Sequence, residues 1–394
     1  MIELEEANQR ILDALVSTGT ETLALSDAAT RVLAADISSP INLPAFDNSA
    51  MDGYAVRSVD AITGSRLRII GEVPAGTVFE KEISEGECVR IFTGSPIPAG
   101  ANAVVMQEDT HADKETIEIT DGVKPFEHVR LRGEDIKQGE VIGHAGEMVT
   151  SGRVALLGAC GTVEVSVYQR PVIGLIATGD ELKEPGAKLG PGEIFESNRF
   201  ALARLVEQTG AVPRIFPLVA DTLASTIEAL EVAFSECDAV VTSGGVSVGE
   251  HDYVKEAFEQ LGGSLDFWKV RIKPGKPFVY GQFDGKPLFG VPGNPVSAFV
   301  TFLTLVRPAI MKMTGATDTS LPSHPAKLVA PLVNRGDRRH FMRVYVDNGG
   351  SAHPVGLQAS HALGSLGKAN GLIDVPPETT LPEGVVQQVL RWSM

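Results

Sequence analysis

The chain has 394 residues, 43% apolar and 21% charged, enough to bury several cores and long for one domain, whose usual size is roughly 100–200 residues. Its 34 basic residues against 50 acidic ones leave a net charge of −16, which disfavours non-specific binding to nucleic acid or an anionic membrane surface, so any anionic ligand must be met by a local cluster of cations. Cys88, Cys160 and Cys237 have no metal-ligand spacing, the segment MIELEEANQR is not a signal peptide, and the longest clean apolar run, 299–306, is too short for a bilayer; a reduced, cytoplasmic setting is the economical expectation.

In chain order, Leu4, Ala7, Ile11, Ala14 and Leu15 recur on one face and predict a helix over 3–16. From about 20 to 170 short β-prone runs such as RLRIIGEV and NAVVMQED, broken by Gly, Pro, Asn and Asp, predict irregular sheets. From Pro171 to about 313 the pattern alternates: a strand in PVIGLIA, a helix at about 197–209 capped by Ser197 or Asn198, a helix from Asp221, the strand DAVVT at 238–242, and a helix carrying Val254, Ala257, Phe258 and Leu261. Such alternation implies a doubly wound, mainly parallel sheet whose ligands lie at the carboxyl ends of its strands. After about 320, further β-prone runs with turns at NRGD and DNGG predict a small C-terminal β-domain.

The segment SGGVSVGEHDYV at 243–254 lies between a predicted buried strand and a helix. Gly244 and Gly249 have the first glycine spacing of a P-loop, but Glu250-His251 replace its Lys and Ser/Thr, so a nucleotide-hydrolysing P-loop is not expected. The glycines still permit backbone N–H groups to face an anion, while Glu250 and Asp252 suit a hard cation. The competing reading is a tight turn whose acids only complement the helix dipole. A second rival is the G-x-S-x-G nucleophile elbow, with Ser247 as nucleophile; Gly244 and Gly245 follow the strand first, however, leaving Ser247 in mid-loop rather than at the corner the elbow needs.

Two more loops should meet this one at the sheet edge. ATGDEL at 177–182 offers Asp180 and Glu181, and in GVPGNPVSAF at 290–299 Asn294 is a natural N-cap and Pro295 a natural first helical residue, with Pro308 expected to kink or end that helix. Mg²⁺ is typically held by one or two carboxylates plus substrate phosphate oxygens, which makes the joined loops a candidate Mg²⁺ site. Positive charge is concentrated in KVRIKPGKPF: in an extended chain Lys269, Arg271 and Lys273 share a face, with Lys276 beyond the Pro-Gly turn. A solvated edge strand kept soluble by lysine is the plainer alternative. Finally, PAFDNSAMDGYAV at 44–56 crowds Asp47, Asn48, Ser49 and Asp52 into a few positions, and FTGSPIPAGANAVV and RGEDI are similar polar loops.

These motifs, with VPGNPVSAF and a C-terminal QASHALGSLGKANGL, occur in one order along essentially the whole chain, and in that order the sequence resembles the molybdopterin molybdenumtransferases, the bacterial MoeA proteins and the related E domain of gephyrin. The resemblance implies an elongated chain of four domains: a linking and dimerisation domain of 1–20, 37–47 and 132–170, a β-rich insertion of 21–36 and 48–131, an α/β molybdopterin-binding domain of 171–320, and a C-terminal β-domain of 321–394. It implies a Mg²⁺-dependent transferase that inserts molybdenum from molybdate into adenylylated molybdopterin and releases AMP, in a homodimer with a shared cleft and with other cofactor-biosynthesis proteins as possible partners. The residues it carries over are Asp52, Asp135, Glu181, Asp252, Lys269 and Lys273 as catalytic, with Glu181 and Asp252 on the metal. Substrate binding falls to Thr93, Asp221, the loop residues Ser243, Gly244, Gly245, Ser247 and Gly249, then Lys276, Pro292, Pro295, Arg343 and Ser365; Arg338 and Arg339 are alternatives to Arg343. A non-catalytic scaffolding homologue is the competing function, and the acids at 52, 135, 181 and 252 weigh against it.

Overall fold

A computed structural model describes residues 1–246 and 253–392. The α/β domain is a six-stranded sheet ordered Val212–Ile215, Val172–Ala177, Ala239–Ser243, Lys286–Val291, Val279–Phe283, Ser264–Trp268; the first four run parallel, Val279–Phe283 runs against them, and Ser264–Trp268 pairs antiparallel with it and so runs with the first four. The central strands need no alternation because both faces are covered: all five residues of Ala239–Ser243 are buried. On one face lie the helices Asn198–Gln208 and Pro295–Thr301 and the chain that follows, on the other Leu223–Glu236 and Val254–Gln260, giving two separate cores. The strands Val172–Ala177 and Ala239–Ser243 are neighbours whose following helices leave to opposite faces. Such a switch point opens a crevice at the strands' carboxyl ends.

Pro308 does not stop its helix. The turns Phe302–Val306 widen to a π-helix and Arg307–Met313 resumes the α-helix. A π turn re-phases the backbone bonding just where the proline ring and its missing N–H would conflict with an α turn. The run Pro295–Met313 is long and apolar enough to cross a membrane by length and composition, yet 83% of it is buried inside the domain, which makes it a core helix.

In the N-terminal half, the helix Leu4–Asp13 buries Leu4, Ala7 and Ile11 in the α/β core. Thr20–Ala24 pairs antiparallel with Glu164–Tyr168, and Ala28 and Leu33 share a core with Ile142, Leu157, Val165 and Val167. That core includes a helix the β-rich texture concealed, Ser151–Ala159, begun by Thr150 accepting from the Arg153 N–H. The insertion itself is a six-stranded sheet between Gly53 and Ile119.

At the C-terminus, five strands between Ser323 and Arg391 close into a barrel through pairing of Arg339–Val346 with Gly371–Val375. The short strand Ile272–Lys273 of the α/β domain joins its edge, parallel to Arg339–His340. This junction fixes the lysine-bearing loop against the barrel.

Candidate functional site

Loops leaving the parallel strands line a cleft of about 730 Å³. Glu181, Asp221, Ser243 to Val246 and Pro292 to Pro295 all face it, so the three loops singled out in the sequence do converge. Asn198 ties them together: its Nδ2 donates to Ser243 Oγ at 2.7 Å and to the Gly293 carbonyl at 2.8 Å. This inward turn is why neither Ser197 nor Asn198 caps the helix; Glu196 Oε1 accepts from the Arg199 N–H instead. ATGDEL leads first into the short strand Leu182–Lys183, paired with Ile194–Phe195, and only then to that helix. Asp180 and Asp221 brace each other, each carboxylate accepting from the other's backbone N–H.

Gly244 and Gly245 have φ of 91° and 66°, a left-handed region that other residues rarely adopt. A Cβ on Gly244 would also lie 2.7 Å from the Thr178 carbonyl oxygen. The Gly244 N–H is spent on the Val291 carbonyl at 3.2 Å, so an anion must be met by later N–H groups of the loop. Ser247, Gly249 and Asp252, with Glu250, lie outside the described residues. Among the described residues no hydrogen bond or ion pair holds the Glu181 carboxylate, and no group of three or more His, Cys, Asp or Glu gathers for a metal. A free carboxylate beside a glycine loop fits one donor of a hard-cation site.

A second cavity of about 1,260 Å³ continues from the first across the shared walls Pro277, Pro292, Asn294 and His361. Lys273, Lys276, Arg335 and Arg338 line it, and among the described residues no carboxylate does. In this acidic chain such a cation-only chamber is the place where an oxyanion is favoured. His340, also on its wall, is 4% exposed, and burial together with Lys273, Arg343 and Arg338 pushes its imidazole down to about 4, so it is neutral near pH 7.

Several expected site residues stand elsewhere. Lys269 faces neither cavity: its Nζ sits 4.1 Å from the Trp268 ring centroid, with Lys255 at 3.1 Å, and Arg271 pairs with Glu3. The basic run is therefore split among three neighbours. Arg343 and Ser365 are buried and bonded to each other at 2.8 Å, and Arg343 also donates to the Leu357 and Ala359 carbonyls. They hold the 357–365 loop, which delivers His361 to the seam between the cavities, and they do not line either one. Strand alternation explains the difference: Arg338, His340 and Met342 share the chamber side, whereas Arg339 binds Asp374 and Glu5. Arg338 and His340 are the residues that sequence reasoning underweighted, and the two-residue period was the available signal.

Asp52, Thr93 and Asp135 are exposed in the N-terminal half, outside both cavities. Asp52 Oδ1 accepts from the Thr93 N–H at 2.8 Å and from its hydroxyl at 2.9 Å, which holds the carboxyl below the usual aspartate range. The loops 44–56 and 130–136 are joined by Asn48–Ser49 pairing with Val129–Arg130 and by the Arg132 N–H on Asp47.

With this geometry in place, comparison with known proteins is specific along the whole chain. Residues 2–161 match the MoeA N-terminal region (domain I and II), 174–312 a probable molybdopterin binding domain, and 325–392 the MoeA C-terminal region (domain IV). The molybdopterin molybdenumtransferase of Haemophilus influenzae is 40% identical over 385 residues, covering 96% of this chain and 95% of that one. The chain belongs to the molybdopterin molybdenumtransferase family. Molybdopterin molybdenumtransferase 2 of Mycobacterium tuberculosis is 36% identical, with all of both chains covered. The crystal structure of a molybdopterin biosynthesis MoeA protein from Pyrococcus horikoshii OT3 superposes with a TM-score of 0.87 at 33% identity, covering 99% of this chain and 100% of that one. Members of the molybdopterin molybdenumtransferase family are transferases of molybdenum cofactor biosynthesis, and the two-cavity cleft is this chain's candidate active site.

Proposed function

We propose that the protein inserts molybdenum from molybdate into adenylylated molybdopterin, releasing AMP and forming molybdenum cofactor, with Mg²⁺ as the cation. The observation that carries this reading is the pair of contiguous cavities of opposite character: one with a glycine loop and a free carboxylate, the other with four cations and, among the described residues, no acid. In this reading a phosphate ester and an oxyanion lie side by side across the seam that Pro277, Pro292, Asn294 and His361 line.

In this reading the loop from Ser243 through Gly249 cradles the phosphates, and Lys273, Lys276 and Arg338 hold molybdate by charge-assisted hydrogen bonds. Glu181 and Asp252 would hold the cation, which when bound supplies Lewis-acid polarisation of the P–O bond to be broken. Molybdate loses one oxygen as water when the dithiolene sulfurs bind, and the two thiol protons balance that water. A carboxylate kept ionised is suited to move them as an acceptor, which is the state Thr93 enforces on Asp52. Asp52 and Asp135 are exposed away from their own chain's cleft, so a second copy of the chain would bring them to it; this supports a homodimer with a shared site. A turnover assay that follows AMP and molybdenum-loaded pterin tests the function: product from the wild type and its loss in Glu181→Gln support it. Tight binding of the pterin without turnover would move the protein to the scaffolding class.

A further inference from the structure

Between the strand Val172–Ala177 and the helix Asn198–Gln208 the chain makes an excursion closed by pairing of Leu182–Lys183 with Ile194–Phe195. At its base, Arg199 is 1% exposed and Glu196 3% exposed. Arg199 Nε bonds Glu196 Oε2 at 3.0 Å, Nη2 reaches Glu184 Oε1 at 2.7 Å, and Nη1 donates to the Phe216 carbonyl. Burying two charges is costly unless every donor is satisfied, so this network is weak evidence for stability and better evidence for a fixed geometry. The excursion is also tied to the cleft acid, since the Ile194 N–H donates to the Glu181 carbonyl at 2.8 Å.

What the network fixes is apolar. Ile194 is 53% exposed and Phe195 46% exposed, and both line the first cavity, as does Leu363 of the barrel at 45%. The remaining wall mixes glycine backbone, hydroxyl, amide and carboxylate groups with small aliphatic side chains, prolines and His361, and none of these offers an aromatic hydrocarbon face. Large exposed apolar side chains held rigidly at the rim of a cleft cost solvation in the free protein and suit a ligand with one flat apolar face.

We propose that Phe195 forms a stacking platform for a flat heteroaromatic ring, the adenine or the pterin end of the substrate, on a segment braced by the buried Arg199–Glu196 pair. The inference rests on the reading of this cleft as the substrate site. Ring stacking is worth roughly 1–3 kcal/mol per base, which converts to an affinity change of about fivefold to 150-fold.

The test uses the full chain and three probes measured by calorimetry: AMP, neopterin and inorganic pyrophosphate. Phe195→Ala should weaken AMP or neopterin within that range and leave pyrophosphate unchanged, and Phe195→Tyr should restore ring binding. The probe that responds identifies which end of the substrate is stacked. Equal affinity of Phe195→Ala and wild type for both ring probes, or a parallel loss of pyrophosphate, overturns the platform while the cleft reading stands. Failure of the wild type to bind any of the three overturns both.

Discussion

Asn198→Ala is the perturbation whose cost can be worked most directly from the site. The Asn198 amide is 9% exposed and makes two short bonds, to Ser243 Oγ and the Gly293 carbonyl, so one side chain clamps two of the three cleft loops. A net hydrogen bond is worth about 1 kcal/mol and a buried acceptor left unpaired costs about 1–3 kcal/mol. Alanine should therefore destabilise the α/β domain by about 2–3 kcal/mol in urea denaturation. Asn198→Asp is the sharper variant. It preserves shape but replaces the donor by a carboxylate aimed at a carbonyl oxygen, so it should be less stable than the alanine variant and should also weaken any anionic ligand of the cleft. If Asn198→Asp were as stable as wild type, within about 0.5 kcal/mol, the clamp would not exist as described.

Four further outcomes follow from the same geometry. Lys273→Ala or Arg338→Ala should weaken molybdate by about 10-fold to 150-fold, from the roughly 1.5–3 kcal/mol of a hydrogen bond to a charged group, whereas Lys269→Ala should leave molybdate affinity unchanged in equilibrium dialysis because Lys269 stacks on Trp268 outside the chamber. Thr93→Val should raise the Asp52 carboxyl in an NMR titration yet leave it below an ordinary aspartate, since the Thr93 backbone N–H, the larger cause, remains; no change would contradict the assignment. His340 is lowered from 6.5 to about 4, so the unfolded chain binds the extra proton between those values and stability must fall as pH drops through them, by up to about 3 kcal/mol. His340→Gln should flatten that acid limb of the stability curve, and an unchanged limb would remove His340 as its cause. Chelating divalent cations should abolish AMP release while leaving the far-ultraviolet circular dichroism intact; unfolding instead would mark the cation as structural.

Much of the α/β domain was legible because its signals are local. Leu202, Leu205 and Val206 recur at helical spacing and are buried, and DAVVT is a short β-branched run whose residues from Ala239 on form a central strand. The convergence of three βα loops then follows from topology alone. What stayed hidden depends on distant partners. Thr20–Ala24 has nothing in its own sequence to select Glu164–Tyr168 over the insertion's strands, and Ser151–Ala159 sits in glycine-punctuated sequence that masks its cap. Alternation places Lys269, Arg271 and Lys273 on one face, but Trp268 and Glu3 divert the first two. The same alternation separates Arg338 from Arg343, and only the barrel's closure shows which side meets the chamber.

The most direct measurement is a single turnover with purified protein, adenylylated molybdopterin, molybdate and Mg²⁺, counting AMP released and molybdenum bound to pterin. Equal amounts of both are expected, with neither formed by Glu181→Gln and a loss in Lys273→Ala that excess molybdate restores. AMP released with no molybdenum on the pterin, or a Lys273→Ala protein indistinguishable from wild type at limiting molybdate, would contradict the proposed function.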